Sequence, residues 1–232
     1  MKLNIALMPQ ITTLSVFNYE GFQNKFWALS MMQFGHFQMK TVEGLQFYKL
    51  LGSGKAHFNP LPDWRVYALL QVWNSPSDFE NFKRNHPLFK KYKSHTKHIQ
   101  IYFLENIQAH GLWNSKNPFE SVVSPKSISD EDQIAVITRA SIKKRMLRKF
   151  WKYVPESQKP LENAKGLLYT KGFGELPFVE MMTFSVWDSV ENLNQFAYKS
   201  REHVKAIKKT RQLDWYNEEM FARFRLSKIE EF

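Results

Sequence analysis

Gly44-Leu45-Gln46-Phe47-Tyr48-Lys49 returns later in the chain as Gly166-Leu167-Leu168-Tyr169-Thr170-Lys171. Each stretch opens on glycine, runs as a strand with apolar and aromatic residues, and enters a glycine pair: Gly52 and Gly54 in the first, Gly172 and Gly174 in the second. The repetition extends outward from there, and a repeat of this length means two copies of one structural unit. Downstream, a strand ending in Val-Trp follows each copy, Tyr67 to Trp73 and Met181 to Trp187. Helix starts come next: Ser75-Pro76 reads as an N-cap with proline in the first turn, and Asp188 with Glu191 as a looser capping box. Phe79 and Phe82 then stand as far from their tryptophan as Leu193 and Phe196 do from theirs, and a histidine follows in each copy, His86 and His203.

Upstream, Phe26-Trp27 aligns with Phe150-Trp151. Without a gap, this lays Thr12-Thr13-Leu14-Ser15-Val16-Phe17 over Val136-Ile137-Thr138-Arg139-Ala140-Ser141. The helical stripes that follow, Phe22, Phe26, Leu29 and Met32 in one copy and Met146, Phe150 and Tyr153 in the other, step by three and four and predict the buried helix faces. Closing strands run from Ile99 to Leu104 and from Met220 to Leu226. The expected fold is α+β: tandem ferredoxin-like (β-α-β-β-α-β) units packed as a dimeric α+β barrel within one chain. The units span residues 11–105 and 134–228, joined by a connecting segment, 106–133. Trp113 and Phe119 in that segment predict that it packs on the body. A ligand is expected between the sheets, or between a sheet and its helices.

Composition narrows the chemistry. The 232 residues contain no cysteine, which excludes disulfides, thiolate nucleophiles and iron–sulfur ligation. Neither a phosphate-binding loop nor a complete dinucleotide fingerprint is present. Aromatic residues make up 16% of the chain and suit either a plain core or a pocket for a flat or long apolar ligand. The formal charge of +11 attracts anionic partners without choosing among them. The N-terminus is a poor signal peptide and no apolar run reaches spanning length, so a cytoplasmic protein is expected. Lys171-Gly172-Phe173-Gly174 imitates part of an RNA-recognition signature, but Glu175-Leu176-Pro177 breaks the strand where the signature continues. No nucleic-acid partner is expected. His203 shares a helix face with Ile207, where an imidazole serves either as an axial ligand or as a hydrogen-bonded core histidine.

Several spaced blocks carry a resemblance. In the first half they are Leu14-Ser15-Val16-Phe17, Phe26-Trp27, Phe47-Tyr48-Lys49 with Gly52-Ser53-Gly54, and Pro62-Asp63-Trp64 leading to Trp73. The second half adds Ile137-Thr138-Arg139-Ala140, Phe150-Trp151, Lys171 to Val179, Thr183-Phe184-Ser185-Val186-Trp187, Phe196-Ala197, His203 with Ala206-Ile207, Trp215, Glu218-Glu219, and Phe221-Ala222-Arg223-Phe224-Arg225. From about Leu14 to Leu226 this pattern is similar to the spheroidene monooxygenase family of haem-dependent bacterial carotenoid oxygenases. The resemblance implies oxygen insertion at C-2 of an acyclic carotenoid with O2, haem b and reduced ferredoxin. It implies His203 as the haem-iron ligand, Arg139 as a donor to bound oxygen or a propionate, and Arg223 and Arg225 as propionate partners. It also allows peripheral contact with an anionic membrane. A non-catalytic haem- or pigment-binding barrel is the alternative.

Overall fold

The computed structural model describes residues 9–55, 59–120, 122–162, 164–199 and 214–232. The elements are β1 (Ile11–Asn18), α1 (Phe22–Met39), β2 (Leu45–Lys55), β3 (Asn59–Trp73), α2 (Pro76–Asn85), α3 (Pro87–His95), β4 (His98–Gly111), β5 (Ile134–Ile142), α4 (Leu147–Glu162), β6 (Leu167–Leu176), β7 (Glu180–Trp187), α5 (Val190–Asn194) and β8 (Tyr216–Glu231). The strands form one closed antiparallel barrel in the order β1-β3-β2-β6-β7-β5-β8-β4. Closure leaves no unpaired edge to manage. Among the described residues, no helix is long and apolar enough to cross a membrane.

Inward side chains fill the barrel. Leu14, Val16, Phe47, Leu51 and Tyr102 from one half meet Ala135, Ile137, Phe173, Phe184 and Phe224 from the other in a single buried cluster. Trp113 and Phe119 of the connecting segment are buried in the same cluster, so the segment packs on the body as its aromatics predict. Among the described residues, this buried cluster occupies the space between facing strands. The outer faces and their helices are the remaining place for a ligand.

Register relates the halves residue by residue. Ile11 pairs with Trp73 and Ile134 with Trp187, which makes Ile11 equivalent to Ile134. The gapless alignment of the first strands is therefore one residue out. A slip of one moves every side chain to the opposite face of a sheet, and the second half carries its extra residue between strand and helix. Leu45 and Leu167 occupy equivalent places opposite the two tryptophans, as their repeat predicts. Two positions lie on the approximate twofold axis that results. Gly52 pairs with its own equivalent, Gly174, and Glu105 pairs with its own, Arg225.

Local signals explain the joints. Gly44 and Gly166 stand at φ +74° and +79° just before β2 and β6, a region open to glycine at little cost. A Cβ on Gly166 would lie 2.6 Å from Asn192 Cβ, and one on Gly44 would lie 2.5 Å from Asp78 Cβ. Gly166→Ala is therefore expected to destabilise the fold by about 2 kcal/mol or more, read as a lower urea midpoint. Ser75 caps α2 by accepting from Asp78 N at 3.3 Å. The equivalent cap of α5 is Ser189, which accepts from Asn192 N at 3.3 Å, one residue later than the Asp188–Glu191 box expected. Asp188 instead accepts from the Ser189 hydroxyl and the Asn192 amide.

The buried face of α1 also differs from expectation. Ala28, Met31, Gly35 and Met39 are buried, while Phe22, Phe26 and Leu29 are exposed. Small residues decide this: a Cβ on Gly35 would stand 3.0 Å from Leu50 Cδ1. The helix thus approaches the sheet along its small side, and the larger phenylalanines are turned outward.

Candidate active site

The outer sheet faces of the two halves are equivalent in backbone and different in bulk. Across the first half, Ile101, Ser15, Leu69 and Leu50 form one row. The equivalent row in the second half is Phe221, Thr138, Thr183 and Gly172. On one side of it the row Phe103, Thr13, Gln71, Tyr48 becomes Arg223, Val136, Ser185, Thr170. On the other side Ile99, Phe17, Tyr67, Gly52 becomes Glu219, Ala140, Met181, Gly174. Leucines, a phenylalanine, a tyrosine and a glutamine have thus given way to glycine, alanine, threonine and serine over the middle of the second face.

Coverage follows bulk. Ser15, Leu69, Ile101 and Leu50 are buried beneath the first half's helices. Thr138 is exposed although it sits at the middle of central strand β5, and Phe221, Thr183 and Gly172 are only half-buried. Helix α4 flanks this face with half-buried Leu147, Phe150, Trp151 and Tyr153, and Met146 stands in the turn before it. Phe150 meets the edges of Trp215 and Tyr216 at 5.7 and 6.1 Å between ring centres, and Tyr153 stacks on Trp215 at 5.6 Å. Trp151 donates to Phe178 O at 3.0 Å. The result is a sheet face emptied of side-chain volume beside a wall of aromatic rings, a shape that accepts a broad, flat, mostly apolar group.

Polar groups border it. Arg223 and Arg225 alternate with buried Ala222 and Phe224 on β8 and so share the outward side, as their spacing predicts. Arg223 Nη2 reaches Asn194 Oδ1 at 3.4 Å, and its buried Nε has no partner among the described residues. Arg225 is more committed: Nε and Nη2 both donate to Glu105 Oε2, at 2.8 and 2.5 Å. The hydroxyl of Thr170, in the same row as Arg223, is also buried with no partner among the described residues. His203 lies outside the described residues.

Arg139 is placed elsewhere. It is buried and takes the inward side of β5 between Ile137 and Ser141, and its guanidinium is held by the carboxylates of Glu180 and Glu218. The ring extends through Glu175, which accepts from Trp113 Nε1 at 2.7 Å and from buried Lys49. Lys49 also donates to Asn114 Oδ1 at 3.0 Å. Arg139 is therefore brought together with β7, β8 and the connecting segment, and not with Arg223 on the outer face.

Burial pushes the Glu218 carboxyl up, but the backbone N–H groups of Ser115 and Asn114 and the Arg139 guanidinium outweigh it and hold the pKa below its ordinary 4.5. A carboxyl depressed in the folded chain stabilises above its unfolded pKa, and that stability is lost as pH falls through the folded value. Wild-type stability should therefore fall progressively as pH drops from the ordinary glutamate range toward the lower folded value, and Glu218→Gln should flatten that acid limb. A urea midpoint measured against pH checks both.

The emptied face was partly readable from the repeat itself, since Tyr48 opposite Thr170 follows from the glycine-led alignment. Leu69 opposite Thr183 follows from the Val-Trp alignment. Phe17 opposite Ala140 was hidden by the one-residue slip.

Comparison with known proteins matches this architecture. The chain is 34% identical over 222 residues to spheroidene monooxygenase of Rhodobacter capsulatus, covering 94% of this chain and 90% of that one. It is 32% identical over 219 residues to the protein of the same name from Cereibacter sphaeroides, covering 94% and 67%. Among solved structures it resembles an aldoxime dehydratase with a TM-score of 0.64 at 11% identity, over 100% of this chain and 86% of that one. It also resembles aldoxime dehydratase OxdRE in complex with butyraldoxime, with a TM-score of 0.65 at 9% identity, over 98% and 83%. At such identities these structures speak to the fold alone. No family model matches. With a third of its residues shared along almost its whole length, the chain belongs to the spheroidene monooxygenase family.

Proposed function

We propose that the chain is a haem-dependent monooxygenase that inserts one oxygen atom of O2 at C-2 of an acyclic carotenoid, with a reduced ferredoxin as electron donor. One oxygen atom goes to the carbon. The other leaves as water, taking two electrons from the donor and two protons from solvent. The observation that carries this reading is the loss of bulk across the second half's outer face, in a chain whose relatives bear the name spheroidene monooxygenase. A porphyrin is broad, flat and mostly apolar, and Ala140, Thr183, Gly172 and Thr170 leave room for such a group where their first-half equivalents Phe17, Leu69, Leu50 and Tyr48 would not.

Haem b, when bound, supplies the oxygen activation that no amino-acid side chain has. The remaining work belongs to the chain. His203 would hold the haem iron through an imidazole nitrogen. Arg223, whose Nε has no partner among the described residues, would hold a propionate by charge-assisted hydrogen bonds; Arg225 stands beside it as a second cation already steadied by Glu105. Phe150, Tyr153 and Trp215 line the approach of a polyene and keep water from it. Arg139 enters as a positioning residue that ties β5 to β7 and β8. The surplus of 33 lysines and arginines over 22 acidic residues suits an acidic donor protein and a cytoplasmic setting. We read residues 11–105 and 134–228 as ferredoxin-like units, with 106–133 as their connection.

The test is a visible spectrum of the purified chain with added haem, followed by product analysis with an acyclic carotenoid, ferredoxin and O2. A Soret band that His203→Ala removes, together with an oxygenated product, is the expected result. No Soret band overturns the cofactor assignment. A bound haem with no oxygenated product leaves a pigment- or haem-binding protein.

A further inference from the structure

Helix α1 has two apolar faces, and only one of them packs on the barrel. Its outward side runs Phe22, Phe26, Leu29, Gln33, Phe37 and Lys40, in steps of three and four that place them in one stripe. Phe22 is 83% exposed, Phe26 63% and Phe37 68%, with exposed Phe34 at the stripe's edge. Scattered surface leucines are ordinary, but four exposed phenylalanines on one helix form a contiguous patch, and such patches mark interaction sites.

Charge selects the partner. The 18 residues of α1 contain no aspartate or glutamate, while Lys25 lies within it and Lys40 caps it. Helix α3 packs beside α1 through Trp27, whose ring stands 5.4 Å from Tyr92 and 4.1 Å from His95. It too has no acidic residue and adds Lys90, Lys91 and Lys93, all exposed. The nearest acid before α1, Glu20, is engaged by Lys97 at 2.7 Å; Glu43 follows the helix. A second copy of this chain would bring the same cations to the same patch. A surface of anionic headgroups over hydrocarbon satisfies both parts at once: lysines meet phosphate, and phenylalanines enter the boundary below it.

We infer that the outward face of α1, with the lysines of α3, docks on an anionic lipid bilayer. The helix lies in the interface plane and does not cross it. Docking there suits a hydrocarbon substrate that dissolves only in the bilayer, but it is argued from the helix itself and stands apart from the catalytic reading.

Flotation of the full chain with vesicles of phosphatidylcholine and phosphatidylserine, against phosphatidylcholine alone, tests it. Wild type is expected to float with the mixed vesicles and far less with the neutral ones. Phe26→Ser with Phe37→Ser should weaken binding about tenfold per substitution while leaving the thermal midpoint and any haem spectrum unchanged, because both side chains are exposed. Lys90→Glu with Lys91→Glu should remove the preference for phosphatidylserine. The inference fails if wild type does not float or if the serine variant floats equally well. It also fails if light scattering shows a dimer that the serine variant converts to monomer, since a second copy would then cover the face. An unchanged haem band in the serine variant separates each of these failures from a failure of the proposed chemistry.

Discussion

Gly172→Leu combined with Thr183→Leu is expected to leave a folded chain that no longer takes up haem. The two substitutions restore on the second half what Leu50 and Leu69 supply on the first. Gly172 sits within β6 and is not among the glycines at positive φ, so leucine meets no backbone penalty there. Both new side chains would project from the outer face into the volume assigned to the cofactor. A clash of about 3 kcal/mol already lowers occupancy about 100-fold, and two leucines in van der Waals contact with a rigid plane exceed that. The readouts are loss of the Soret band on haem titration and loss of oxygenated product, with the thermal midpoint held or raised by added burial. A normal band in this variant would move the cofactor off the face. The reverse change supplies the contrast. Leu50→Gly, at a position only 4% exposed, should cost about 3–5 kcal/mol through lost burial and an unfilled cavity without opening a second haem site.

Arg139→Met is expected to cost about 3–5 kcal/mol of folding stability, because it leaves carboxylates without the cation that compensates them. The Arg139 side chain is only 4% exposed, and those of Glu180 and Glu218 are 23% and 19% exposed. Lys49 remains near Glu175 but is not paired with Glu218 or Glu180. Methionine fills most of the arginine's volume, so the loss is electrostatic and not a packing void. A urea titration measures it, and adding Glu218→Gln should return part of the loss by removing one of the stranded charges. If Arg139 acts by position, the haem band of the Arg139→Met chain stays at its wild-type wavelength wherever the chain is folded. A shifted band would place the guanidinium in contact with the cofactor.

How much could be read beforehand depended on whether a signal was local. The glycine-led strands, the Val-Trp ends and the Ser75 cap are local, and each stands where its residues predict. The order of elements followed from them. Two readings failed for identifiable reasons. The first strands were aligned through the helix that follows them, and the residue inserted between strand and helix carried the register one place off. The packing face of α1 was assigned to its large side chains, whereas Ala28 and Gly35 set the closest approach to the sheet. For the site, Arg223 and Arg225 showed their shared side through spacing alone. The partners of Arg139 are far along the chain, at Glu180 and Glu218, and only the barrel brings them near it. The emptied face required both copies in correct register, because no single segment reveals that it is missing bulk.

The pair at Glu105 and Arg225 has a consequence for descent. In a homodimer, a residue on the symmetry axis meets its own copy. Two identical chains would set glutamate against glutamate there, or arginine against arginine, and like charges directly opposite on neighbouring strands repel. Joining the copies into one gene product frees each from mirroring the other. Opposite charges can then meet across the seam, and one module can keep its bulk as scaffold while its twin sheds bulk to make room.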